Sequence, residues 1–227
     1  MLLGDEPRRW VWCTRVSVAA IAVLCAIYAK SPWMACVVLL PGVRFNLRRP
    51  VLVDSTAMAL ALGAAVAWPH SWILAVVLAL MAGCVRETAP VWAAIYCWNP
   101  LLLVGLIPVA IRALQKAGDD VLDGENAWIL EHPIKASRKY HKGMWLDPRV
   151  MITPWGGMLA GLAAMDLQLG AALAAGYAQL LVATDSVRLY QWAAPVLAAA
   201  TVHALPGWAL PLVALSLVVN PWRGTGG

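Results

Sequence analysis

The chain has 227 residues, 62% of them hydrophobic and 13% charged, with a formal net charge of +5 and a mean hydropathy of +0.71. A soluble domain carries about 25% charged residues, so this composition excludes an ordinary soluble globular protein. It reads as an all-α, polytopic helical membrane protein, in which a positive balance reports orientation and not an acidic partner.

In chain order, Met1–Trp12 brings Arg8 and Arg9 up to a first apolar run, Cys13–Ala29. Basic residues before an apolar run are also how a signal peptide begins. Here Lys30-Ser31-Pro32 opens another apolar stretch, where a cleavage site and a polar mature domain would stand. Ser31–Val43 is short for a span, so it predicts a tilted or re-entrant helix, and Arg44, Arg48 and Arg49 form a basic turn before Pro50. Val51–Trp68 and Ser71–Cys84 predict a helical hairpin around Pro69-His70, with Asp54 about one turn inside its first arm. Arg86-Glu87 follows, and then Pro90–Trp98 and Leu101–Ile111 flank Asn99-Pro100, as one kinked helix or as two half-helices.

Charge bias favours two half-helices. Arg8, Arg9, Arg44, Arg48, Arg49, Lys116, Lys135, Arg138, Lys139, Lys142 and Arg149 belong on the cytoplasmic side, so an even number of crossings separates these clusters. The segment 115–149 is the one substantial polar loop, acidic first and basic second, and it holds 12 of the 29 charged residues. Val150–Met165 and Leu167–Thr184 follow, where Gly157, Gly161, Gly170 and Gly176 read as packing residues that let helix backbones approach. The last pair, Leu189–Val202 and Ala204–Val219, is expected to turn at His203 and to end with Arg223 in the cytoplasm. The expected organisation is membrane segments over 1–114, a polar cytoplasmic loop over 115–149 and membrane helices over 150–227. About eight segments of ~20 residues or fewer result, with both termini cytoplasmic. Many of the 13 tryptophans stand near predicted helix ends, where an amphipathic ring suits the headgroup layer.

Few constellations carry chemistry. The five cysteines form no CxxC and the four histidines are scattered, so they read as buried hydrophobes and interfacial residues, with no metal or other cofactor expected. Asp119-Asp120-Val121-Leu122-Asp123 has the DDxxD spacing that holds Mg²⁺ against a diphosphate, but no second aspartate-rich motif accompanies it, and it reads as a solvated loop. The run Lys135–Lys142 reads as a headgroup-binding segment for membrane lipid, through Lys135, Arg138 and Lys139. It is too sparse in cations and aromatics for a nucleic-acid footprint.

Arg86 and Glu87 are expected to neutralise each other at membrane depth, with Pro90 freeing backbone groups nearby. Glu87 and Asp54 are the candidate catalytic carboxylates, and Arg86, Asp185 and Arg188 candidate substrate-binding residues facing one polar cavity. The competing reading is that each of them caps a helix at the interface.

Pro50-x3-Asp54 opening one apolar arm, Arg86-Glu87-Thr88 opening the next, and Asp185-x2-Arg188 with Pro195 beyond resemble the C-type (GT-C) polytopic membrane glycosyltransferases. The resemblance covers roughly residues 44–205. It implies a polyprenyl-phosphate-linked sugar donor used on the outer side of the membrane, and an acidic catalytic residue in the loop after the first helix. That loop is here Lys30-Ser31-Pro32, without a carboxylate. Three functions therefore stay open: such a transferase, a non-catalytic membrane protein that binds a lipid or an unidentified protein partner, and a small transporter.

Overall fold

The computed structural model describes residues 7–48, 54–116, 131–146, 148–181 and 191–220, and every regular element among them is helical. The longest is α1 (Pro7–Tyr28), a 22-residue run with neither Gly nor Pro after its first position, where Pro is tolerated. It stops where Lys30 takes a left-handed conformation (φ 54°) before Ser31-Pro32. A 3-10 helix over Pro32–Leu39 and α2 (Pro41–Arg48) bring the chain back.

The hairpin of α3 (Asp54–Ala67) and α4 (Trp72–Val85) turns at Pro69-His70, and Ser71 Oγ caps α4 by accepting from Leu74 N at 3.3 Å. α1 and α3 run parallel. Ser17 Oγ, midway along α1, meets Thr56 Oγ1 at the start of α3 at 2.9 Å, and Leu24 lies over Gly63 about two turns further along both.

The stretch after α4 is built as two arms. α5 (Ala89–Cys97) climbs nine residues, about 14 Å, and ends at Trp98 in the left-handed conformation (φ 52°). Asn99 caps a 3-10 helix over Pro100–Leu106, its Oδ1 accepting from Leu101 N at 2.9 Å. α6 (Ile107–Lys116) then completes the return along α4. Gly83 and Gly105 face each other so closely that a Cβ on either would overlap the opposing backbone. The two-arm expectation thus matches the geometry: the first arm starts, and the second finishes, beside the C-terminal end of α4.

In the second half, α7 (Pro133–Leu146) and α8 (Pro148–Ile152) lead into a 3-10 helix over Thr153–Ala164, kinked at Gly156. Asp166 caps α9 (Leu167–Ala178). A further pair, α10 (Ala194–Ala204) and α11 (Leu210–Val218), closes on the same 3-10 helix. Gly161 lets the Leu197 carbonyl and Thr201 come against the helix backbone, and Thr201 Oγ1 donates to Met158 O at 2.9 Å. Ser216 Oγ accepts from Gly157 N at 2.8 Å. One core joins the halves, with Trp92, Trp155 and Trp192 among its largest buried side chains.

Several expectations change. Among the described residues one helix, Arg8–Tyr28, is long and apolar enough to cross a membrane, and the other apolar helices run 10–17 residues. The expected spans 31–43, 101–111 and 150–165 are each split or tightened into 3-10 helix, with a proline at or next to the first position of every 3-10 run. The basic half of the expected loop is helical, as α7. His203 lies in the last turn of α10, because its Nδ1 bonds Ala199 O, and the turn comes at Leu205-Pro206 instead. The DDxxD residues and Arg223 lie outside the described residues.

Candidate functional site: an ion pair and a broken helix

At the start of α3 Asp54 is 3% exposed, and its Oδ1 accepts from Arg86 Nη1, while Arg86, the C-cap of α4, is 19% exposed. The hairpin brings the two together because one residue opens its first helix and the other closes its second. Each sits where the helix dipole favours its sign, the carboxylate at an N-terminus and the guanidinium at a C-terminus. Arg86 Nε also donates to Thr88 Oγ1 at 3.3 Å, which ties the pair to the start of α5. Ser55, next to Asp54, is 1% exposed, and its Oγ has no hydrogen-bond partner among the described residues.

The expected Arg86–Glu87 pair is therefore replaced by Arg86–Asp54. Glu87 stands in the turn between α4 and α5, exposed and with no ion-pair partner among the described residues. Pro90 falls within the first two positions of α5, so it frees no carbonyl near Glu87. Arg112 on α6 joins the same corner: its Nη2 donates to Gly83 O at the end of α4, and its Nε to Pro108 O at 3.4 Å. Sequence reading passed over Arg112, because seen alone it is one more cation at the end of an apolar run.

The break between the two arms is satisfied at the opposite end of the bundle. Gln168, in the first turn of α9, donates through Nε2 to Ile95 O at 2.7 Å and Tyr96 O at 3.0 Å, carbonyls of the last turn of α5. Tyr28 Oη, from the end of α1, donates to Tyr96 O at 2.9 Å and lies 3.2 Å from Gln168 Nε2. Beneath them Tyr96 Oη donates to Trp192 O at 2.6 Å, and the Trp92 and Trp192 rings stack at 5.9 Å. A broken helix away from water needs such partners, and here protein groups supply them. No periodicity in the sequence points to Gln168, which is simply the second residue of an apolar run.

Of the predicted site residues, the fold joins Asp54 and Arg86 and leaves Glu87 beside them in the chain. Lys135, Arg138 and Lys139 are exposed on α7, which packs chiefly on α8 and the 179–181 turn and not on α4 or α5. Asp185 and Arg188 lie outside the described residues. No group of three His, Cys, Asp or Glu side chains that could hold a metal ion occurs among the described residues. No protein-family model, curated protein or solved structure matches this chain.

Proposed function

We propose that the chain is a multi-pass helical protein of the cytoplasmic membrane that holds a membrane lipid or a membrane partner at the α4–α5–α6 corner. The observation that carries this reading is the sorting of charge to one end of an apolar-walled bundle. Arg8, Arg9, Arg86 and Arg112 belong to the end where α1 and α3 begin, α4 finishes and the two arms return. The turns at the other end, beside Tyr28, Ala67, Trp98 and Gln168, carry Lys30, His70 and Asp166. Between these ends the outer wall is hydrocarbon, with Val16, Val23, Val77 and Met81 all exposed. Exposed tryptophans mark both margins, Trp12 on one side and Trp33, Trp72 and Trp98 on the other. Such a wall has no place in water, while a cationic end and aromatic margins are what a bilayer orients. Elements shorter than the ~30 Å hydrocarbon layer fit as hairpins and re-entrant arms whose backbone is satisfied within the protein.

Binding is favoured over catalysis because Asp54, one of the two candidate catalytic carboxylates, is already held by Arg86. Sugar transfer from a polyprenyl-phosphate donor is the second reading, and one observation favours it: Glu87 is a carboxylate with no ion-pair partner among the described residues, next to Arg86 in the chain.

The orientation is tested in a cysteine-free variant carrying single cysteines at the exposed positions Lys139 or His70. An impermeant thiol reagent added to intact cells is expected to label position 70 and not position 139. The opposite pattern, or release of the protein from membranes by alkaline carbonate, would overturn the reading. Ser137 is unsuited to such labelling, since it is 2% exposed.

A further inference from the structure

Resting on that membrane reading, we infer that α6 is the binding site of an anionic phospholipid, with Arg112 taking the phosphate and Ile107, Ile111 and Leu114 lying along the acyl chains. The three apolar residues stand at i, i+4 and i+7 and so form one stripe. They are 50%, 50% and 78% exposed, so no element among the described residues covers that stripe.

Arg112, the residue after Ile111, stands just over a quarter-turn from it round the helix, on the side towards α4, and is exposed. Two of its nitrogens are spent on backbone carbonyls, Gly83 O and Pro108 O, which fix the guanidinium plane against the end of α4. Its charge is not compensated, for no carboxylate pairs with it among the described residues. That separates it from Arg86, whose charge is met by Asp54.

A guanidinium held in place offers its remaining N–H donors as a fork, which suits phosphate oxygens. A cation next to an exposed apolar stripe matches one occupant best, a lipid with an anionic head and hydrocarbon tails. The C-terminal end of α4 is a poor place for a bare anion, because its carbonyls repel negative charge. Arg112 cancels that repulsion by bonding one of those carbonyls, which makes it the residue on which the site depends.

The test uses the full chain, purified in a neutral detergent and titrated with short-chain phosphatidylglycerol, phosphatidylcholine or inorganic phosphate, with the melting temperature read from tryptophan fluorescence. Phosphatidylglycerol is expected to raise the melting temperature, and the other two to leave it unchanged. Arg112→Gln is expected to weaken the phosphatidylglycerol response about fivefold, the worth of one cation at an anionic lipid surface. Arg112→Lys, which keeps the charge, is expected to retain most of it. If both variants melt lower but respond to phosphatidylglycerol like the parent, Arg112 is a structural cap and the inference fails. An equal response to inorganic phosphate would make it a plain anion site, and a lipid-independent doubling of mass in detergent would make the stripe a contact between copies. Either result overturns the lipid assignment while leaving the membrane reading intact. Loss of the protein from the membrane fraction would instead remove the reading on which it rests.

Discussion

Arg86 closes α4 by pairing with Asp54, 32 positions earlier at the opening of α3, so one ion pair locks the free ends of a helical hairpin. Removing one partner takes this contact from the other charge in a site that is mostly dry, a loss of about 3–5 kcal/mol when a pair is fully buried. Arg86 keeps some contact with solvent, so Asp54→Asn should fall at or below the lower end of that range. The double change Asp54→Asn/Arg86→Gln should cost less than the two single changes added together, since no orphan charge remains. Melting temperatures of the three variants in one detergent decide it, and strict additivity would mean that the contact carries no weight.

Ser55 offers a test with the opposite sign. Its buried hydroxyl has no hydrogen-bond partner among the described residues, and such a group costs about 1–3 kcal/mol of desolvation. Ser55→Ala is therefore expected to raise the melting temperature of the isolated protein. A fall would show that the hydroxyl is engaged by something that accompanies the purified chain.

At the far end Gln168 should matter more than a surface glutamine. Gln168→Leu removes one donor from each of two carbonyls, Ile95 O and Tyr96 O, which keep Trp98 N and Tyr28 Oη, so it should cost about 1 kcal/mol per lost hydrogen bond. Tyr28→Phe removes the other donor to Tyr96 O, so alone it should cost about 1 kcal/mol, and together with the first more than the sum, because the double variant takes both side-chain donors from that carbonyl. Hydrogen exchange of the Trp98–Leu101 amides should rise in Gln168→Leu before any change in α1. Unchanged exchange there would separate Gln168 from the helix break.

How far this arrangement could be read from the sequence follows from which interactions are local. Apolar runs, the Pro69-His70 turn and the Asn99-Pro100 break are local signals, and the elements around them fall within a few residues of expectation. The capping by Ser71, Asn99 and Asp166 is of the same kind. The partner of Arg86 was misplaced because adjacency in sequence was taken for contact. In a chain leaving a helix, successive side chains diverge, while the end of a hairpin faces its own beginning. Gln168 and Arg112 escaped notice for a related reason: each is an ordinary residue until the fold sets a broken helix or an uncapped one against it.

Gly161 shows the same dependence in packing. A Cβ there would come 2.8 Å from Leu197 O and 2.9 Å from Thr201 N, both backbone atoms that cannot swing aside. Gly161→Ala is therefore expected to force α10 outward and to cost about 1–3 kcal/mol, in the range of core overpacking. Gly170→Ala, where nothing lies within 4 Å, should be neutral or slightly stabilising through helix propensity. Equal melting temperatures for the two variants would contradict the close approach of the 153–164 helix and α10.

Glu87 separates the two functional readings most cleanly. It is exposed and has no ion-pair partner among the described residues, so Glu87→Gln should fold, insert and melt like the parent. Under the binding reading, removing a negative charge from a corner that holds Arg86 and Arg112 reduces repulsion of an anionic head group. Affinity for phosphatidylglycerol should then stay the same or rise, by up to about fivefold. Under the transferase reading the carboxylate must hold charge or take a proton, neither of which an amide can do, and turnover of a lipid-linked sugar should disappear while lipid affinity persists. Measuring both quantities on one preparation assigns the corner. Should Glu87→Gln lose lipid affinity without any change in melting temperature, the carboxylate itself contacts the ligand, and a purely electrostatic account of the corner is wrong.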